Sequence, residues 1–277
     1  MPNILTVDYN SSTLGKDFST SLKTTGFAII KNHPISYNLI SSVYDEWKNF
    51  FNLKLKHNYL FHPIKQDGYF PYLSENAKDC FEKDLKEFYH IYDWGRYPSE
   101  ISYKTNQLII EFKLMAEKLL FEIQLNTPPK VKNNFSMRLD KMIQKSQENL
   151  LRIIHYPPLS GNEGSEAIRA GAHEDINLIT LLLSGTQPGL QVKTKENKWI
   201  NVESDQGWLI VNIGDMLQEC SDGYYPSTTH RVINPKGKNV SRYSMPFFVH
   251  ARDEVILSDR HTAKSYLEER LKEIGLK

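Results

Sequence analysis

His173 and Asp175, in the stretch AGAHEDINLITLLL (170–183), stand directly in front of an apolar run of the kind that makes a buried strand. Burying an imidazole and a carboxylate is unfavourable unless they are paired or bound to a metal. If the strand beginning near Ile176 extends back to His173, both side chains project from one face, because strand side chains alternate. Their Cα atoms then lie roughly 6–7 Å apart, close enough to share one ion, and Glu174 faces away. A His-x-Asp alone is a weak signal, since polar residues are common at strand ends.

His230, in STTHRVINP, follows a polar turn in a β-type run well beyond Asp175 in sequence. By position alone it is a plain polar residue at a strand start. Strands that far apart nevertheless lie side by side in a closed sandwich. Two neutral imidazoles and one carboxylate make the facial triad that leaves positions open on a non-haem Fe(II). In VSRYSMPFFVH, Arg242 and Ser244 are again two apart and share a face on a strand. An arginine pointing into a barrel needs an anion, and guanidinium binds carboxylate through two parallel hydrogen bonds. Alone, Arg242 reads as an exposed edge-strand residue. Beside the triad, the pair reads as a carboxylate clamp.

These residues sit in a β-rich second half. Short runs at 150–156, 176–183, 189–193, 199–202, 208–212, 228–233 and 241–249 are separated by turn signals such as SGTQPG and NPKGKN, the pattern of a sandwich or barrel. The first half is helical with interruptions. A helix over 13–24 ends at Gly26, the apolar FAIIKNH follows, and apolar residues recur at helical spacing over 37–53 and 104–124. Such stripes are core faces. The polar, basic segment 127–147 is a link or a lid, and a last helix spans 262–274. The reading is one oxygen-chemistry domain over 1–277, with an N-terminal region 1–126 and a β core 148–260. The net charge of +1 gives no reason to expect nucleic acid or a membrane as partner. No apolar run approaches the roughly 20 residues that cross a bilayer, and the first residues do not read as a signal peptide. Cys80 and Cys220 cannot build a disulfide framework and read as free thiols of a cytoplasmic protein. The oligomeric state is left open.

AHEDINLITLLL, PGLQV, WLIVNIGDMLQECSDGYYPSTTHRV and RYSMPFFVHA, with GFAIIKNHPI and DLKEFYHIY upstream, resemble the isopenicillin N synthase-like branch of the Fe(II)/2-oxoglutarate-dependent dioxygenases over roughly residues 5–260. The resemblance implies a mainly β fold with flanking helices (α+β), a double-stranded β-helix or jelly-roll core behind a helical N-terminal region. It implies His173, Asp175 and His230 as iron ligands, and Arg242, Ser244 and Tyr156 as the grip on the distal carboxylate of 2-oxoglutarate. Many plant members carry asparagine where this chain has Ile154, which puts the cosubstrate's geometry in question. His155 is turned the other way by strand alternation. Phe248 matches a residue lining the substrate side of the iron, and Tyr69, Phe70 and the SENAKD stretch are expected at the substrate entrance. His62 and His250 read as structural, and Asp215 as a turn residue. The implied reaction couples 2-oxoglutarate decarboxylation and O₂ activation to hydroxylation, desaturation or ring closure of a small metabolite. Two other readings stay open: an oxidase of the isopenicillin N synthase type, whose clamp takes a substrate carboxylate, and an inactive metal-binding relative.

Overall fold

Leu14, Phe18 and Leu22 form the buried stripe of α1 (Leu14–Thr25), which follows the short β1 (Thr6–Asp8). At Gly26 the backbone turns left-handed (φ 72°), a conformation open to a residue without Cβ, and the Gly26 N–H closes the helix on the Leu22 carbonyl. Then come β2 (Phe27–Lys31), α2 (Tyr37–Asn52), a 3-10 turn over Lys54–Tyr59, β3 (Gly68–Phe70), β4 (Glu87–Ile91) and α3 (Lys104–Asn126). The short helices α4 (Pro129–Lys132) and α5 (Leu139–Met142) lead into β5 (Leu150–Tyr156). The structure is a computed structural model that describes residues 3–76, 82–203 and 205–273. Cys80 and the end of the SENAKD stretch lie outside the described residues.

The remaining strands are β6 (Ala170–His173), β7 (Ile179–Leu183), β8 (Leu190–Lys193), β9 (Trp199–Asn201), β10 (Leu209–Ile213), β11 (His230–Val232) and β12 (Arg242–Val249). Between and after them stand α6 (Asp215–Cys220) and α7 (Ala263–Glu273). An eight-stranded sheet runs β1-β2-β10-β7-β12-β5-β4-β3, and a four-stranded sheet runs β6-β11-β8-β9. The two make the expected jelly-roll core. One local expectation fails. His173 and Ile179 do not share a strand: His173 ends β6 in the small sheet, and Ile179 begins β7 in the large one. Residues 174–178 carry the chain between sheets, so the convergence of His173 and Asp175 comes from this crossover and not from strand alternation.

Alternation works elsewhere and gives the large sheet two faces. Tyr243, Met245, Phe247 and Val249 of β12, with Leu151 and Ile153 of β5, pack against the helices. Ile154, Tyr156, Phe88, Val192 and Val232 fill the space between the sheets. The segment 127–147 is not a lid: Leu139, Met142 and Ile143 are buried in the helix-side core.

That helix side also holds a buried carboxylate. Glu87 accepts from Lys56 Nζ (2.8 Å), from the Tyr69 hydroxyl and from His155 Nδ1 (2.7 Å), while His155 Nε2 meets Ser241 Oγ at 3.0 Å. Burial acts to raise Glu87, but His155, Lys56 and Tyr69 outweigh it and hold the acid below its usual range. Tyr69 is therefore misread as an entrance residue. It is 1% exposed in the helix-side core, its hydroxyl spent on Glu87. Phe70 is stacked between Phe61 and Phe88, inside the barrel. Removing one partner of a buried ionic cluster typically costs about 3–5 kcal/mol. Glu87→Ala is expected to lose stability on that scale in urea unfolding. Tyr69→Phe is expected to lose about 1 kcal/mol with substrate KM unchanged; a large KM rise would put Tyr69 back at the entrance.

Candidate active site

His173 closes β6, His230 opens β11, and the two are register partners across the small sheet. Their rings lie 4.4 Å apart. His173 Nδ1 donates to the Gly171 carbonyl (2.8 Å) and His230 Nδ1 to the Thr228 carbonyl (3.1 Å). Because a carbonyl only accepts, the proton sits on Nδ1 and each Nε2 keeps its lone pair. Both Nε2 atoms lie 3.9 Å from Asp175 Oδ1. The ligand atoms of all three residues fall within 4.8 Å of one another.

Asp175 is held from behind. Its Oδ2 accepts from Thr180 Oγ1 (2.6 Å) on β7 and Asn212 Nδ2 (2.8 Å) on β10, leaving Oδ1 for the triad. Burial acts to raise its pKa, but the imidazoles of His230 and His173 and these two hydrogen bonds keep it below the usual carboxylate range. Burial and the neighbouring His230 push His173 down to about 4, so its imidazole is neutral at physiological pH. Divalent-metal binding requires an anionic carboxylate and imidazole lone pairs, and Asp175 and His173 are in those states. The donor set fits Fe(II). Glu174, between the ligands, turns its carboxylate to Thr229 Oγ1 (2.7 Å).

A cavity of about 670 Å³ reaches the triad through His173 and Asp175. Phe248 and His250 of β12 line it, as do Arg152 of β5 and Leu267, Arg270 and Leu271 of α7. On the barrel side, Arg242 pairs in register with Tyr156, and Ser244 with Ile154. These clamp residues do not border the cavity; Tyr156 and Ile154 pack between the sheets. Arg242 is 3% exposed, its Nε donates to the Gln187 carbonyl (2.9 Å), and its Nη1 has no partner among the described residues. A Cβ at Gly185 would come within 2.7 Å of Arg242 Nη2, so glycine makes room for the guanidinium. The structure thus brings together His173, Asp175 and His230 and, separately, Arg242, Ser244 and Tyr156, while Tyr69 belongs to neither group.

Known proteins share this fold. Residues 147–251 match the family model of the 2OG-Fe(II) oxygenase superfamily, and residues 5–109 match the model named non-haem dioxygenase in morphine synthesis N-terminal. A crystal structure of a Shewanella oneidensis protein described as an oxygenase is 47% identical, with a TM-score of 0.89 over 99% of this chain and 100% of that one. A Caulobacter crescentus protein described as of the 2OG-Fe(II) oxygenase family is 30% identical, with a TM-score of 0.80 over 98% of this chain and 99% of that one. The chain belongs to the 2OG-Fe(II) oxygenase superfamily. It is also 29% identical to gibberellin 2-beta-dioxygenase 3 of Arabidopsis thaliana, over 87% of this chain and 73% of that protein. The oxygenase is accordingly a 2-oxoglutarate-dependent dioxygenase whose cofactors are Fe(II), 2-oxoglutarate and O₂. None of its helices is long and apolar enough to cross a membrane, among the described residues.

Sequence reasoning missed several residues of the oxygenase site. Thr180 and Asn212 are polar residues embedded in the apolar strands β7 and β10, which is the signal that could have found them. Arg152 is likewise embedded in β5. Its guanidinium lies 4.5 Å from the Phe88 ring and 5.5 Å from Phe248, and its Nε donates to His90 Nε2 (2.8 Å). Arg152 pairs with Glu75 (3.3 Å), and Lys86 pairs with Glu75 (2.6 Å) and Asp84 (2.7 Å). These two cations of the cavity wall are therefore matched by two carboxylates.

Groups that orient a metal ligand typically contribute 10–100-fold to metal affinity. Thr180→Val and Asn212→Leu are each expected to weaken Co(II) or Fe(II) binding by about that factor in a metal titration, and Asp175→Ala to abolish it. Wild-type affinity in both supporting variants would show that the carboxylate orients itself.

Burial drives His250 down to about 4, and its Nδ1 has no partner. Such an imidazole stays neutral in the fold but takes a proton near pH 6.5 when unfolded. It therefore leaves stability untouched above pH 6.5 and withdraws it as pH falls toward about 4, by up to about 3 kcal/mol. His250→Leu is expected to lose less stability than wild type between pH 7 and pH 4 in urea titrations. Equal losses would show His250 already protonated in the fold.

Proposed function

We propose that His173, Asp175 and His230 hold the iron, that Arg242, Ser244 and Tyr156 hold the distal carboxylate of 2-oxoglutarate, and that a small-molecule metabolite is oxidised in the cavity. The observation that carries this reading is the pairing of the triad with Arg242, a buried guanidinium whose Nη1 has no partner. An unsatisfied buried donor on a charged group is unfavourable, and a carboxylate arriving there removes that penalty. Bound iron and 2-oxoglutarate supply the oxidising power, with O₂ consumed and succinate and CO₂ released as a substrate C–H bond is oxidised.

The chain's own residues do the rest. Asp175 provides the only negative charge among the three ligands and, fixed by Thr180 and Asn212, does not rotate. The Nδ1–carbonyl bonds keep both imidazoles aimed. Phe248 lines the cavity near the end of β12 and Arg242 begins that strand, so substrate and the cosubstrate's distal end come to the metal from different ends of one strand face. A cavity of about 670 Å³ is in the range that encloses small ligands, which suits a metabolite, and gibberellin 2-beta-dioxygenase 3 is a relative whose name gives a small molecule as its substrate. The whole chain acts as one catalytic domain, and the buried free thiol of Cys220 suits a cytoplasmic enzyme.

Truncating one partner of a buried charge-assisted pair typically costs about 2–5 kcal/mol. Arg242→Ala is therefore expected to raise the 2-oxoglutarate concentration needed by a factor of about thirty or more, read as succinate formed by Fe(II)-loaded protein. Should calorimetry detect no 2-oxoglutarate binding to metal-loaded wild type, the clamp belongs to a substrate carboxylate and the oxidase reading replaces this one.

A further inference from the structure

Arg152 and Lys86 of the cavity wall are paired with carboxylates, but two arginines inside the barrel are not. Arg169, the residue before β6, is 1% exposed. Its Nη2 donates to the Val240 carbonyl (2.7 Å), and its Nε has no partner among the described residues. Its guanidinium lies 6.0 Å from the Tyr156 ring, and that of Arg242 lies 5.1 Å from the same ring. Each guanidinium thus has one buried N–H group unpaired, and neither is ion-paired to a carboxylate among the described residues. The proximity of Arg242 and burial both act against the charge on Arg169. Two buried like charges around one tyrosine, each with a free donor, make a site that is complete only when an anion enters it.

We propose that Arg169 is a second guanidinium for the distal carboxylate of 2-oxoglutarate, facing it together with Arg242 across Tyr156. This rests on the reading of Arg242 and Tyr156 as the clamp. It offers the carboxylate two charged donors in place of one, so recognition on this side depends on net charge as well as shape. It also supplies a mechanical link. Arg169 stands four residues before His173, and its hydrogen bond to Val240 falls two residues before Arg242. The strand that ends in a metal ligand is thereby tied to the strand that begins with the clamp.

The test is calorimetry of 2-oxoglutarate binding to Mn(II)-loaded protein without turnover, with 2-oxovalerate as the probe that keeps the keto acid and lacks the distal carboxylate. A hydrogen bond to a charged group typically contributes enough for a ten- to hundredfold change in affinity. Arg169→Gln and Arg242→Gln are each expected to bind 2-oxoglutarate about ten- to a hundredfold more weakly, with 2-oxovalerate binding changed less than about twofold. Should Arg169→Gln fail to fold, Arg169→Lys keeps the charge and the aliphatic stem, and a loss of about tenfold specific to 2-oxoglutarate is expected there. Two-oxoglutarate affinity within twofold of wild type in the Arg169 variants, with Arg242→Gln impaired, overturns the role of Arg169 and leaves the clamp standing. Unchanged affinity in Arg242→Gln as well overturns the clamp itself. An equal loss for both ligands in Arg169→Gln or Arg169→Lys also overturns the proposal, since it would mark a general disturbance of the barrel.

Discussion

One buried carboxylate organises the structure. Asp175 lies where the chain leaves the small sheet for the large one, and nothing in a strand ladder would hold it there. Two side chains from adjacent strands of the large sheet take its Oδ2. Its backbone is gripped as well: the carbonyl of Asp175 accepts the Asp215 N–H at 2.7 Å, and that of Ile176 accepts the Met216 N–H at 3.1 Å. This contact needs Gly214, where a Cβ would fall 2.1 Å from the Asn177 carbonyl oxygen. The order of strands, the position of α6 and one glycine all serve to fix a single oxygen atom.

Around that atom the two faces of the large sheet divide the work. The helix face carries the apolar mass and the Glu87 cluster, whose partners come from the 3-10 turn, β3 and β5. The barrel face carries the chemistry. The cluster also reaches the clamp strand, because Ser241, bonded to His155, immediately precedes Arg242. The ion network on the helix face and Arg242 on the barrel face thus occupy opposite faces of β5 and β12.

Much of this could be read from residue patterns. Helical spacing marked α2 and α3 to within about two residues, and the β-rich runs marked the strands of the second half except β6, because their side chains bury on a regular period. The residues that converge as a triad were identifiable from type and order. The reason offered for the pairing of His173 with Asp175 was wrong, since no local pattern announces a change of sheet within AHEDINL. Tyr69 was misplaced because an aromatic residue before a variable stretch looks alike whether its hydroxyl meets a substrate or a buried glutamate. Arg152 and Lys86 escaped notice for a related reason: a lone cation in a mostly apolar run gives no clue to which carboxylates will face it.

The last helix changes how the molecule is seen in time. Leu267, Arg270 and Leu271 of α7 form part of the cavity wall, yet of that helix only Ala263 is buried, and Arg270 reaches Asp215 at 3.1 Å. During synthesis from the N-terminus, all three triad residues and both clamp strands leave the ribosome before this wall does. The centre that activates oxygen can therefore assemble while its reaction chamber still stands open on one side. The wall is a late and lightly fastened part, and its replacement by another helix would reshape the chamber without disturbing the barrel that carries the candidate site.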